Sequence, residues 1–321
     1  MPDASSDDLA VVIVSYNTAP LLRACLEALQ AALRRGRVAD STDPVATRAL
    51  RSRVFVVDNA STDESAELVA REFPDVRLLA LDENRGFAAA NNLALKEANA
   101  RYVWLLNPDT EVLGDAPAAL VRFMDEHPEV GACGGRLLNP DLSFQHSAFS
   151  FPTLLMAFFD FFPLNHRVVN SRWNGRYPRK WYTRAFPIDH PLGADLLVRG
   201  KALARLGLLD EGFFMYCEEV DWCYRIKQAG WQIYYVPGAE VIHHVASSTR
   251  QVRGPMFAQL HQSRDRFFCK HYGGWFAWLA QQIVRFGLAV EAARLRRAAA
   301  AGRLSPSELA RELAVLDKVQ Q

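Results

Sequence analysis

Residues 54–64 read VFVVDNASTDE. Val54 to Val57 form a short, continuous apolar run of the kind that suits a strand buried on both faces. Asp58-Asn59 closes the run. Ser61-Thr62-Asp63-Glu64 then reads as a helix start, with Ser61 as N-cap and Glu64, three residues on, completing a capping box. A buried strand feeding a helix is the repeating unit of a parallel α/β sheet, and the unit recurs on either side. Upstream, residues 10–15 (AVVIVS) are a strand closed by Tyr16-Asn17, with a helix over about 20–33. Downstream, 76–81 is a third strand, and Asn84-Arg85-Gly86-Phe87 turns the chain into a small-residue helix over 88–98. Residues 102–106 are a fourth strand, ending at Asn107-Pro108-Asp109. Four strands alternating with helices predict a doubly wound, mostly parallel α/β sheet. Ligands of such sheets sit beyond the carboxyl ends of the strands, where the polar residues of this half gather. The polar stretch 34–51 reads as a surface loop.

After a helix at 116–126 the pattern changes. Short strands at 131–138 and 142–149 flank Asn139-Pro140-Asp141. Residues 151–187 are rich in aromatics and proline, with no clean period. Residues 193–199 are a strand followed by a helix from Lys201. Two strands, 232–236 and 240–245, end near His243-His244, and from Pro255 the chain reads as wholly helical. Between these lies EGFFMYCEEVDWCYR, residues 211–225. On a helix over 218–229, Trp222, Cys223, Ile226 and Ala229 share one face, and Gly230 is a left-handed stop. Glu219 falls on that face. Asp221 falls elsewhere and has Arg225 four residues on, a good ion-pair spacing. Asp221 is therefore expected to be neutralised and Glu219 to point inward. A partly desolvated carboxylate can take a proton near neutral pH. An acidic first turn that merely suits the helix macrodipole has the same pattern.

Composition narrows the function classes. The 321 residues are 50% apolar, with a formal net charge of +1. That is enough for a large core, and the charge balance argues against nucleic acid as partner. The five cysteines, with no CxxC pair, read as reduced thiols of a cytoplasmic protein. The acidic, polar N-terminus lacks the plan of a signal peptide, and no window is long and apolar enough to span a bilayer.

Single motifs leave alternatives open. A carboxylate is acceptor-only, so Asp58 suits the N3–H of uracil or thymine; an Asx turn at a strand end is the plainer account. Asp109 can hold a divalent cation that bridges a diphosphate, or Asn107-Pro108 can be a simple turn. One imidazole of His243-His244 can add a metal ligand, and only one, because adjacent strand residues face opposite ways. There is no GxGxxG or GxxxxGK[ST] motif, which removes dinucleotide-binding and P-loop readings.

The order of the motifs says more than any one of them. VVIVSYN, VVDNASTD, NRGFAAANN, LLNPDT, GADLLVR, FFMYCEEVDWCYRIKQAGW and VIHHVASS, spread over 9–248, resemble the family 2 glycosyltransferases of the GT-A fold. The similarity is greatest to the rhamnosyltransferase-like branch of bacterial cell-surface polysaccharide synthesis. The resemblance implies a GT-A domain over 1–250, with a nucleotide-sugar half at about 9–126 and an acceptor half at about 127–250. A helical tail follows at 251–321. It implies that Asp58 recognises the base, with Ser15, Tyr16 and Asn17 beside it. Asn84, Arg85, Gly86 and Phe87 line the nucleotide-sugar pocket, and Gly193-Ala194 belongs to the same site. Asp109 matches the last acid of the DXD metal motif, with neutral Asn107 at its first position, and His243 matches the late metal-binding histidine. Glu218, Glu219 and Asp221 form the acidic catalytic cluster. Glu219 matches the base at a position where the family usually has Asp.

The implied reaction is inverting transfer from a dTDP- or UDP-sugar, with Mn2+ or Mg2+, to a glycan or polyprenyl-diphosphate-linked acceptor. In 151–189, Trp173, Tyr177, Trp181 and Tyr182 are candidates to stack on sugars. Arg167, Arg172, Arg176, Arg179, Lys180 and Arg184 are candidates to meet a diphosphate. Residues 275–290 (WFAWLAQQIVRFGLAV), with the arginines after them, suit an interfacial helix at 274–297 on the inner face of an anionic membrane. They suit equally a helix packed on its own domain or in a homodimer. A non-catalytic glycan-binding or scaffold module is the other reading of the same fold.

Overall fold

The computed structural model describes residues 7–39, 46–162, 165–244 and 253–320; residues 245–248 of the last motif lie outside the described residues. In chain order the N-terminal half is β1 (Asp7–Ser15), α1 (Ala19–Arg35), β2 (Arg37–Ala39), β3 (Thr47–Ala49), β4 (Ser52–Asp58), α2 (Ser65–Glu72), β5 (Arg77–Ala80), α3 (Gly86–Glu97), β6 (Ala100–Leu106), β7 (Thr110–Val112) and α4 (Ala116–Glu126). The second half is β8 (Val130–Leu138), β9 (Ala148–Phe149), α5 (Leu154–Phe161), α6 (His166–Val169), β10 (Phe186–Pro187), β11 (His190–Pro191), β12 (Asp195–Arg199), α7 (Gly200–Leu206), α8 (Glu218–Gln228) and β13 (Gln232–His243). Three helices follow: α9 (Arg253–His271), α10 (Gly274–Ala300) and α11 (Pro306–Gln320).

The main sheet runs β10-β13-β8-β12-β6-β1-β4-β5, with β7 on β13. Its first half, β5-β4-β1-β6, is all parallel. The second half is mixed, because β12 enters antiparallel between β6 and β8. Strand β1 shows why the sheet must be covered on both faces. Leu9, Val11 and Ile13 enter one core with Leu22 and Leu26 of α1 and Leu120 of α4. Ala10, Val12 and Val14 enter the other with Ala88, Ala90 and Ala94 of α3 and Trp222 and Ile226 of α8. These three alanines of α3 are fully buried, so small side chains bring that helix close to the strands.

Several local expectations change. Residues 34–51 contain a short antiparallel hairpin, β2 with β3, where polar composition had suggested only loop. Ser61 does not cap α2. Its Oγ instead accepts from the Asn17 amide at 2.9 Å, and the helix starts at Ser65, whose amide donates to the Asp63 carboxylate at 3.0 Å. The two strands expected over 232–245 are one strand, β13, whose register on β8 shifts between Val236 and Glu240. Pro237 has no N–H to donate, and the irregularity absorbs it. Of 142–149 only β9 is strand. Residues 154–161 of the aperiodic region form α5, capped by the Thr153 hydroxyl at 3.2 Å. That helix is apolar nearly throughout, so it shows no polar face to mark a period.

The last helices pack on the second half of the chain. Phe213, Cys217 and Val220 form a third core with Phe267 and Phe268 of α9 and Ala277 and Ala280 of α10. Helix α8 is thus enclosed on two sides, by the sheet and by α9. All five cysteines are free.

Candidate active site

The strand ends and their loops form one connected rim. Strand β1 ends level with β4, Ser15 opposite Asp58. Asn17, at φ 54°, accepts from the Thr62 amide at 2.7 Å, and the Ser15 and Thr18 hydroxyls lie 2.8 Å apart. Ser15 and Asn17 therefore hold the loops together, while Tyr16 stands exposed beside them. Asp58 is buried; its Oδ2 accepts from the Ser61 amide at 3.0 Å, and its Oδ1 has no partner. The Asx turn and the free acceptor are thus both present, on different oxygens of one carboxylate.

Asn59, which the motif reading passed over, ties the next loop. Its Nδ2 donates to Asn84 Oδ1 at 2.9 Å and its Oδ1 accepts from the Arg85 amide at 2.9 Å. Asn84 Oδ1 also takes the Gly86 amide at 3.0 Å. Gly86, at φ +79°, lies so close to the loop before α8 that an added Cβ would meet the Phe214 carbonyl oxygen at 2.4 Å. Only glycine serves there. The Phe87 amide donates to that same carbonyl at 2.7 Å. The Phe87 side chain is partly buried against the core, and Arg85 pairs with Glu83 in solvent.

On the other side of the rim, the Asn107 amide donates to the Ala194 carbonyl at 3.1 Å. Gly193 leaves space that Glu219 uses: a Cβ on it would lie 3.2 Å from the Glu219 carboxyl carbon. So Asn107, Gly193-Ala194 and Glu219 are neighbours, as the motif order requires. Beneath them Asp195 is fully buried, accepting from the Trp104 indole and the Gly135 amide, each at 2.7 Å. Burial raises its carboxyl, and these bonds leave it at about 6.

The acids of α8 are arranged differently from the helical-face expectation. Glu218 and Asp221 are buried, while Glu219 is half-buried. The reason is α9, which covers the face a lone amphipathic helix would turn to water. Asp221 is held by the Arg225 Nε at 2.8 Å, as its spacing predicted, and also by Lys270 at 2.6 Å and His271 at 2.7 Å. Three cationic or hydrogen-bonding groups engage both its oxygens, which sets it in the scaffold rather than among groups open to a substrate. Glu218 Oε2 and Glu219 Oε2 are buried without a partner. Burial pushes the Glu218 carboxyl well above the usual glutamate range, and the charge of Glu219 adds to it. The raised carboxyl is thus that of Glu218, next to the residue the sequence had singled out for it.

Asp109 and His243 meet where β7 pairs with β13, Oδ1 to Nε2 at 3.5 Å, both buried. The other ring nitrogen, Nδ1, lies 2.8 Å from Gln145 Oε1. His244 points the other way, to Glu111 at 2.6 Å. Among the described residues no set of three His, Cys, Asp or Glu side chains could hold a metal. Asp109 and His243 supply two donors of the O,N type that suits Mn2+ or Mg2+ when phosphate and water complete the shell.

In the acceptor region Tyr177 and Tyr182 are core residues, and Tyr182 donates to the Ala148 carbonyl at 3.1 Å. They are removed from the sugar-stacking set. Trp173 is exposed, and Trp181 is half-buried with Arg172 over its ring. Arg167, Arg172, Arg179, Lys180 and Arg184 face solvent, while Arg176 is half-buried and bonded to Asn170.

Known proteins resemble this chain in sequence and in fold. Residues 10–188 match the family model described as Glycosyl transferase family 2. The chain is 31% identical over 306 residues to the N-acetylglucosaminyl-diphospho-decaprenol L-rhamnosyltransferase of Mycobacterium tuberculosis, covering 89% of this chain and 92% of that protein. It is 26% identical to the rhamnosyltransferase WbbL of Escherichia coli, over 58% of this chain and 70% of that one. The mannosyltransferase PcManGT of Pyrobaculum calidifontis, solved with GDP-Man and Mn2+, superposes with a TM-score of 0.54 at 19% identity, covering 100% of this chain and 88% of that one. GalNAc-T7, solved with UDP, GalNAc and Mn2+, superposes at 0.52 with 15% identity, over 83% of this chain and 51% of that one. These likenesses show a GT-A fold. With the family model matching more than half of its length and a relative aligned along nearly all of it, the chain belongs to glycosyl transferase family 2.

Proposed function

We propose that this glycosyltransferase moves rhamnose, with inversion, from a nucleoside diphosphate to a polyprenyl-diphosphate-linked acceptor in cell-surface polysaccharide synthesis. The observation that carries the reading is the set of buried carboxylate oxygens left without partners on one rim: Asp58 Oδ1, Glu218 Oε2 and Glu219 Oε2. A buried acceptor without a donor costs about 1–3 kcal/mol, and a ligand that donates to it recovers that. Asp58 Oδ1 suits the N3–H of a pyrimidine base. Glu219, half-buried beside Gly193, suits an incoming hydroxyl. It takes the hydroxyl proton as the oxygen attacks the anomeric carbon from the face opposite the diphosphate. Burial, and then the charge of Glu219 beside it, push the Glu218 carboxyl well above the usual glutamate range, so the two acids of the pair are not equivalent. Asp109 and His243 would hold a divalent cation, which when bound offsets charge on the leaving diphosphate. The rhamnosyl donor and the lipid-linked acceptor rest on the names of the relatives.

Thermal unfolding with UDP, dTDP and GDP, each with and without Mn2+, tests the donor half of the reading. A ligand bound only by the folded state raises the midpoint. The expected result is a Mn2+-dependent rise with dTDP or UDP that is lost in Asp58→Ala. No rise with any nucleotide would favour the glycan-binding module.

The same reading includes contact with an anionic membrane through α10. Trp275 is 72% exposed and Phe286 62%, and Trp275 stacks on Trp278 with ring centroids 4.8 Å apart. Among the described residues no helix is long and apolar enough to cross a membrane, so this contact is peripheral. Flotation with vesicles containing phosphatidylglycerol should carry the protein up the gradient, and the Trp275→Ala, Trp278→Ala double variant should stay at the bottom. Equal flotation of both removes α10 as the contact.

A further inference from the structure

We infer that Gln145 is the positioning residue that sets the tautomer of His243, and so the affinity of the Asp109–His243 pair for a divalent cation. The inference rests on the metal reading proposed above, and it begins with two acceptors that face each other. The Asp109 carboxylate has only lone pairs to offer. Its Oδ1 lies 3.5 Å from His243 Nε2, and both side chains are buried. Which face the imidazole turns to it depends on what the other nitrogen does.

That nitrogen, Nδ1, meets the Gln145 amide at 2.8 Å. The amide can present oxygen or NH2, and its own neighbours decide. The other end of the Gln145 amide lies 2.9 Å from Asn139 Oδ1 and 3.2 Å from the His243 backbone carbonyl. A backbone carbonyl only accepts. Asn139 is oriented in turn: its Nδ2 donates to Ser143 Oγ at 2.8 Å and to the Phe144 carbonyl at 3.4 Å. Its Oδ1 is therefore the atom left for Gln145. With two acceptors at that end, the Gln145 NH2 must lie there and its Oε1 must face the ring.

The consequence is chemical. An oxygen at Nδ1 demands a proton on Nδ1. The neutral ring then carries its lone pair on Nε2, aimed at the Asp109 carboxylate. Two lone pairs at that separation leave a place for one positive charge, a metal cation or, in its absence, a proton. A ligating histidine whose second nitrogen donates to a fixed oxygen is the usual outer-shell arrangement, and loss of such a partner typically lowers metal affinity 10–100-fold. The loop bearing Gln145 and Asn139 is pinned to β8, since the Gln145 amide donates to the Leu137 carbonyl at 3.1 Å. The rigid element thus carries the partner as well as the ligand strand.

Two readouts test this on the full chain: ring 15N shifts of the metal-free protein, and Mn2+ titration by electron paramagnetic resonance. The His243 ring is assigned by its loss in His243→Ala. The wild type should keep a proton on Nδ1. Gln145→Leu should shift the ring toward Nε2–H or a mixture and bind Mn2+ about 10–100-fold more weakly. Gln145→Glu, which keeps an oxygen at Nδ1, should restore both toward wild type. Asn139→Ala leaves Gln145 in place but removes one of the two acceptors that orient its amide, and should move both readouts part of the way toward the leucine variant. If His243→Ala weakens Mn2+ binding but Gln145→Leu and Asn139→Ala leave tautomer and affinity unchanged, Gln145 has no such role. If His243→Ala binds Mn2+ like the wild type, the metal reading itself falls and takes the inference with it.

Discussion

Glu219→Gln is expected to lower sugar transfer by about 10²–10⁴-fold, the range associated with loss of a general base, while nucleotide affinity stays within a few-fold of wild type. The amide keeps the size and the contact with Gly193 but cannot accept the acceptor's proton. The neighbouring acid should not substitute for it. Glu218 is buried, and its carboxyl is raised well above the glutamate range, first by burial and then by the charge on Glu219. In the Gln variant that charge is gone, yet Glu218 stays buried, away from an incoming hydroxyl. Turnover and nucleotide binding measured on the same preparation separate the two steps. Turnover equal to wild type would remove Glu219 from the chemistry, and a parallel loss of nucleotide binding would give it a role in the donor site instead.

Asp221→Ala is expected to cost about 3 kcal/mol of stability, the lower end of what removal of one member of a buried ion pair costs. Asp221 is fully buried, whereas the Arg225 and Lys270 side chains are 21% and 33% exposed, so water relieves part of the charge left behind. Arg225 also donates to the Leu206 and Leu208 carbonyls, and Lys270 also pairs with Asp210 at 2.7 Å, which keeps both from being stranded. The loss should appear in urea unfolding as a lower midpoint at an unchanged slope. A change below about 1 kcal/mol, the size of a surface pair, would mean that Asp221 does not fasten α9 to α8.

These two neighbours, Glu219 and Asp221, mark the limit of what a linear reading carries. Strand-then-helix alternation over 10–106 was legible because burial on both faces leaves a run of apolar residues that nothing else explains, and β1, β4 and β6 lie where those runs are. The places of Asp58, Gly86, Asp109 and His243 were legible because each ends a strand or opens a helix at the edge where such sheets bind ligands. The Asp221–Arg225 pair was legible from spacing alone.

Other features depend on chain that is far away in sequence. A helical face predicts the inward acid only if the opposite face meets water. Here α9 covers it with Lys270 and His271, some fifty residues later, so that Asp221 is buried while Glu219 stays half-buried beside Gly193. Ser61 has the spacing of a cap, but the Asn17 amide, 44 residues away, takes its hydroxyl. Tyr177 and Tyr182 look like sugar platforms in an aromatic stretch until Phe186 and Tyr235 close around them. Gln145 carries no motif at all; its meaning comes from a hydrogen bond to His243 across 98 residues. Sequence by itself determined the alternating strands and helices of the first half and the edge at which they present polar groups, because hydrophobic burial and chain geometry act locally. Only the tertiary structure decided which of those groups are left without partners, because desolvation and hydrogen bonding depend on everything packed around a group and not on its place in the chain.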